Sequence, residues 1–175
     1  NNYGALLQSL FLKTYLEKQF NVNVYFDKYQ PSQFLFREEI KPIIKKNILH
    51  SYLGIKKFFK LREWKKKYIK SFPSKKFAPS DYDKNLLSIY GSDEVWNFDN
   101  PFFGFDPFFF GRSNKNFKTS YAASFGNISV SNLNYDILNE IENLLKSFKF
   151  ISVRDFNSQN FLKNKFNISS EIVLD

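Results

Sequence analysis

Short apolar runs alternate with stretches of helical periodicity along this chain, and that alternation constrains its fold more than any other feature. Leu86 to Tyr90 is a compact apolar run stopped by Gly91, the pattern of a buried strand. Lys118 to Ser124 reads as a strand ending in Gly126, and Phe150 to Val153 and Ile172 to Leu174 as two more. Between them lie an amphipathic helix over Asn132–Phe148, through Ile137, Ile141, Leu144, Leu145 and Phe148, and a helix over Ser158–Phe166. At the start, Leu6, Leu7, Leu10, Phe11, Tyr15 and Leu16 recur at helical spacing from Ala5 to Phe20, with Asn1 or Asn2 available as a cap. Asn21 ends that helix, and Val22, Val24 and Phe26 alternate as a short strand. Pro31 to about Ser71 reads as helices broken near Pro42 and Gly54, Pro73 to Asp83 as loop, and Asn97 to Asn116 as an aromatic-rich loop. The expectation is a Rossmann-like α/β domain over residues 1–175, a parallel sheet with helices on both faces. The first helix has no strand ahead of it, so a strand is expected before Asn1.

Composition narrows the chemistry. At 175 residues and 43% hydrophobic the chain can bury one ordinary core. It has no cysteine, which removes thiolate metal sites and cysteine nucleophiles, and its one histidine, His50, rules out a histidine-rich metal site. No metal or cofactor is expected. No apolar run approaches the roughly 18 residues of a bilayer span, and no charged-then-apolar leader is visible, so a cytoplasmic location is expected. The net charge of +9 is concentrated: Lys41 to Lys76 holds 13 basic residues and one acid, Glu63, for +12, leaving −3 for the rest. Residues 31–83 therefore read as a basic helical insertion. Its apolar residues Ile40, Ile44, Ile48, Tyr52, Ile55 and Phe59 recur every three or four positions. One face can pack or dip into an anionic membrane surface while lysines ring the other, which would hold the protein peripherally at the inner face of a membrane. A solvated insertion made lysine-rich by AT-rich coding is the plainer alternative. A nucleic-acid surface is a third reading, since Tyr52, Phe58, Phe59, Trp64 and Tyr68 interleave with the basic residues, though helical spacing explains these aromatics as a buried face.

In open parallel sheets, ligands bind outside the carboxyl ends of the strands. Four unusual segments fall there. Asn1-Asn2-Tyr3-Gly4 precedes the first helix and reads either as a cap or as a backbone-amide anion site. Gly91-Ser92-Asp93 follows the strand ending at Tyr90, where Asp93 is either a turn residue or a base for a hydroxyl. Trp96 beyond it reads as packing or as a stacking surface. Ser124-Phe125-Gly126 follows the next strand, with Ser124 placed to reach a ligand. Arg154-Asp155 follows the third. Only four residues are arginine against 22 lysines, and the planar fork of Arg154 suits carboxylate or phosphate unless an ion pair with Asp155 or a neighbouring helix occupies it.

Read together, these segments resemble the polysaccharide pyruvyl transferase family. The matching stretches are Asn2-Tyr3-Gly4-Ala5-Leu6-Leu7-Gln8-Ser9-Leu10, Gly91-Ser92-Asp93-Glu94-Val95-Trp96-Asn97 and Ser120-Tyr121-Ala122-Ala123-Ser124-Phe125-Gly126. Ile151-Ser152-Val153-Arg154-Asp155 and Val173-Leu174-Asp175 follow in the family's order. Glu94 departs from the family's usual Gln. The resemblance implies one half of a two-lobed architecture like that of the B-type glycosyltransferases, with a second α/β half following the final Asp. It implies transfer of a pyruvyl group from phosphoenolpyruvate, the donor substrate, to a glycan or lipid-linked glycan, forming a ketal across two hydroxyls. On this reading Asp93 and Arg154 are catalytic, as hydroxyl base and anion clamp. Asn2, Tyr3, Gly4, Ser92, Trp96 and Ser124 bind substrate. The family's donor-site histidine and further arginine would lie in the second half, so these residues alone would be inactive. A nucleotide-sugar glycosyltransferase of the same shape is the competing enzyme reading.

Overall fold

A computed structural model of the chain describes residues 3–27, 29, 52, 55, 56, 59, 60, 63, 74, 75, 86–100, 104–112, 114, 116–128 and 134–174. The fold is mixed α/β, with small parallel strand pairs and helices, in two compact units, Asn1–Phe77 and Ala78–Asp175.

In the first unit, helix α1 spans Tyr3–Phe20. Lys13 and Glu17 form an ion pair one turn apart, and Glu17 also accepts a hydrogen bond from the Val24 N–H at 3.1 Å. Asn21, at φ 52°, takes the left-handed conformation that ends the helix, a position Asn tolerates better than most residues. The following strand is shorter than the alternation predicts. Only β1, Phe26–Asp27, is a strand, and it pairs in parallel with β2, Ser74–Lys75, within a stretch that reads as loop. A two-residue strand of Ser and Lys carries no hydrophobic alternation to announce it. Most of the basic segment lies outside the described residues. Its described positions Tyr52, Ile55, Lys56, Phe59, Lys60 and Glu63 are helical. Tyr52, Ile55 and Phe59 are 60%, 40% and 55% exposed, so a buried face does not account for these three.

The second unit holds the core. Strands β3 (Leu87–Tyr90) and β4 (Phe117–Ser120) pair in parallel over four residues, as do β5 (Ser152–Val153) and β6 (Glu171–Ile172) over two. Parallel bridges Thr119↔Phe150 and Ala123↔Val153 set β5 beside β4, giving the sequential order β3-β4-β5-β6. Where the β4–β5 ladder is irregular, two buried serines stitch it. Ser120 Oγ donates to the Ser152 carbonyl and Ser152 Oγ to the Ser120 carbonyl, both at 2.8 Å.

Two helices make the crossovers. Helix α2 spans Tyr135–Leu145; the Asn134 side chain caps it by accepting the Asp136 N–H at 2.9 Å. Helix α3 spans Phe156–Phe166, starting two residues earlier than periodicity places it because Asp155 is its cap. Ile141 and Leu145 of α2, Leu162 and Phe166 of α3, and Ile151 and Val153 around β5 all enter one buried cluster. Both helices thus serve one core, in keeping with the α/β class expected from the sequence. The described part of the aromatic loop is not free either. Phe110 is buried and stacks on Trp96, with ring centroids 6.0 Å apart.

Candidate active site

The carboxyl edge of β3 and β4 is built on unusual backbone. Gly91 has φ 124°, and a Cβ there would lie 2.1 Å from the Tyr121 carbonyl oxygen, so only glycine lets the two strand ends approach. Asp93 (φ 74°) and Ala122 (φ 48°) occupy the left-handed region that non-glycine residues avoid. Strain of this kind persists only where surrounding structure enforces it. Here the enforcement is visible: the Ser124 N–H donates to the Asp93 carbonyl at 3.0 Å, and the Trp96 N–H to the Ser124 carbonyl at 3.1 Å.

Arg154 follows β5, and its guanidinium crosses to this edge. Nη1 lies 3.2 Å from Asp93 Oδ1 and Nη2 lies 3.5 Å from Glu94 Oε1. The three side chains are 27%, 37% and 43% exposed, so the cluster faces solvent while resting on a fixed frame. Glu94 Oε2 also accepts from Asn97 Nδ2 at 3.0 Å. The fork of Arg154 thus pairs with two carboxylates, and its charge also acts on Asp155.

Asp155 has a different task. Its Oδ2 accepts from Ser124 Oγ at 2.7 Å and its Oδ1 from the Ser158 N–H at 2.7 Å, which caps α3. Ser158 Oγ in turn accepts the Phe125 N–H at 2.9 Å, and Ser124 Oγ accepts the Gly126 N–H at 2.8 Å. Burial pushes the Asp155 carboxyl up. The Ser124 hydroxyl, the Ser158 N–H and hydroxyl, and the charge of Arg154 outweigh it, leaving the group below the ordinary aspartate range.

Of the residues singled out from the sequence, the structure brings Ser92, Asp93, Ser124 and Arg154 to one edge of the second unit. Ser124 is 1% exposed, with its hydroxyl spent on Asp155, so it holds the frame instead of reaching a ligand. Trp96 is fully buried, its indole N–H donating to the Phe109 carbonyl at 3.0 Å, and cannot stack on a substrate. Both correct the substrate-binding expectation, and for one reason: each side chain points into the core at the moment the backbone turns. Asn2 lies outside the described residues, while Tyr3 and Gly4 open α1 in the other unit. Sequence reasoning passed over Ser158 and the pairing of Glu94. Asp155 just ahead of a helical run is a legible cap signal, while Ser158 carries no such mark. Nothing local announces that Glu94 meets an arginine sixty residues on. Among the described residues no group of His, Cys, Asp and Glu forms a metal-binding cluster.

The family model described as polysaccharide pyruvyl transferase matches residues 2–175. No curated protein and no solved structure matches the chain.

Proposed function

The chain belongs to the polysaccharide pyruvyl transferase family, and from that premise we propose that it forms one wall of an enzyme moving a pyruvyl group from phosphoenolpyruvate to a sugar of a cell-surface polysaccharide or its lipid-linked precursor. By the family resemblance, a second α/β half supplies the other wall, in a two-lobed arrangement like that of the B-type glycosyltransferases. The observation that carries the reading is the solvent-facing Asp93–Arg154–Glu94 cluster at the carboxyl edge of the sheet.

The chemistry can be balanced on that cluster. The enol carbon of the donor takes a proton, one sugar hydroxyl adds to the neighbouring carbon, and a second hydroxyl displaces phosphate to close the ketal. Two hydroxyl protons are lost: one matches the proton gained by carbon and the other leaves with phosphate. On this reading Asp93 receives a hydroxyl proton. Arg154 is a positioning residue here. Its guanidinium pairs with Asp93 and Glu94, and its charge also acts on Asp155. By the family resemblance, a histidine and a further arginine of the second half hold the donor's anions.

The test is an assay of phosphate release and ketal formation with phosphoenolpyruvate and a glycan acceptor, using the protein that carries both halves. Turnover is expected there and not with residues 1–175 alone. Binding and turnover of a nucleotide sugar in place of phosphoenolpyruvate would overturn the assignment. Arg154→Lys is expected to lower turnover, because a point charge cannot span Asp93 and Glu94 as a planar fork does. Unchanged turnover in Arg154→Ala would make the arginine a scaffold residue only.

We also propose that the basic segment rests on an anionic membrane. Exposed Tyr52, Ile55 and Phe59 stand at helical spacing beside Lys56 and Lys60, and each lysine near an anionic leaflet contributes about 1 kcal/mol. Co-sedimentation with vesicles should require anionic lipid, weaken with salt and fall when Lys65, Lys66 and Lys67 become Gln. Retention on single-stranded nucleic acid with indifference to lipid charge would overturn it.

A further inference from the structure

A second feature adjoins this cluster and is not used by the chemistry above. A groove of about 490 Å³ runs between the loop after β4 and one side of α3, within the volume range of small-molecule sites. Its polar lining is dominated by amides, from Asn127, Asn157, Asn160 and Asn164, over an apolar floor that includes Phe125 and Phe161. We propose that this groove is a sugar-binding subsite, holding a non-reacting sugar unit of the glycan whose neighbouring unit is presented at Asp93. The proposal rests on the transferase reading only for which glycan occupies the groove.

The amide row is difficult to explain as scaffold. Residues 157, 160 and 164 follow one another at spacings of three and four, so they form a single stripe along α3, beside the buried stripe of Ser158, Leu162 and Phe166. Asparagine is a weaker helix former than lysine or glutamate, because its side chain competes for the backbone. Three in an eleven-residue helix work against the element that holds them. Among the described residues none of the four side chains has a hydrogen-bond partner that offsets that cost. Each offers two donors and an acceptor without charge, which matches hydroxyls that both donate and accept. Phe125 beneath the groove is core, and the half-buried Phe161 is the ring that can meet the C–H face of a pyranose. Among the described residues no carboxylate lines the groove, and Lys165 is the charged residue there.

Gly126 joins the two features. It lines the groove, and a Cβ on it would lie 2.8 Å from both Glu94 Oε2 and Asn97 Nδ2. Gly126, at φ 63°, stands between the groove and the Glu94 side chain, so on this proposal a glycan seated on the amides extends its next unit past Gly126.

The test uses the isotopically labelled protein and five trisaccharides as probes: maltotriose, cellotriose, mannotriose, galactotriose and chitotriose. At least one should shift the side-chain amide resonances of Asn127, Asn157, Asn160 and Asn164. Its affinity should fall about tenfold in Asn160→Ala/Asn164→Ala, two hydrogen bonds being lost. Alanine is the better helix former at these exposed positions, so the variant folds. No shift with any probe, or equal affinity in the variant, overturns the subsite. In the transfer assay the variant should raise the acceptor KM about tenfold and leave kcat at saturating acceptor unchanged. An unchanged acceptor KM overturns the subsite while leaving pyruvyl transfer standing. Trisaccharide binding at the amides without any use of phosphoenolpyruvate leaves the subsite standing and overturns the transferase reading.

Discussion

Asp93 and Trp96 stand three residues apart in one segment, and the fold gives them opposite surroundings. Trp96 is fully buried among Phe110, Phe125 and Phe148, with ring centroids at 6.0, 5.3 and 5.9 Å. Asp93 is 37% exposed and paired to Arg154 across the strand ends. The same contrast separates Ser124, sunk beneath Asp155, from Arg154 one bridge away. A family motif is therefore not a list of ligand contacts. Part of it builds the frame and part of it stays open to solvent, and burial separates the two.

Trp96→Ala is the strongest test of that division. Removing a buried aromatic of this size should destabilise the protein by about 3–5 kcal/mol, read as a lower urea midpoint. Lost activity at unchanged stability would instead move Trp96 to the substrate side of the comparison.

Asp93→Asn should do the reverse. The exposed pair with Arg154 is worth little to folding, about 0.2–1 kcal/mol, while loss of a hydroxyl base should lower kcat by about a hundredfold. If turnover and the urea midpoint fall together, Asp93 is a turn residue, and its left-handed φ is its whole role.

Asp155→Asn sharpens the framework side. It should lower stability by about 1–2 kcal/mol at neutral pH through the weakened cap and the Ser124 contact. The sign with pH follows from the depressed carboxyl of Asp155. Its stabilisation is fully present above the ordinary aspartate value of about 3.9 and is lost as pH falls through the lower folded value. The variant should therefore show a shallower acid limb in urea midpoint against pH. An unaltered limb would mean that Asp155 titrates as a solvent-exposed carboxylate.

The strand–helix alternation from Leu86 onward, and with it the parallel α/β class, was legible in the sequence because its helices and β5 carry apolar residues into the core. The expectation of a buried strand over Leu86–Tyr90 is corrected, since Leu86 and Leu87 are 40% and 60% exposed and none of the strand is fully buried. The stripe of Ile137, Ile141 and Leu145 is a local property of the chain, as is the stop at Gly91. The strand at Phe26–Asp27 was legible from the alternation of Val22, Val24 and Phe26, whereas its partner Ser74–Lys75 was not, since two polar residues carry no hydrophobic pattern. Nor was the fate of exposed stripes: Phe11 and Tyr15 recur at helical spacing on α1 yet are 71% and 57% exposed. Periodicity shows that a face exists and says nothing of what covers it.

By itself, then, the sequence determined the class of fold and the segments that gather at the strand ends, because a parallel ladder carries successive strands to one edge whatever their side chains. Only the tertiary structure decided that Arg154 spans Asp93 and Glu94, that Ser124 and Trp96 turn inward, and that the asparagines of α3 face a groove reaching Gly126. Those outcomes depend on distances between residues tens of positions apart and on the direction each side chain leaves a strained turn, neither of which a one-dimensional spacing contains.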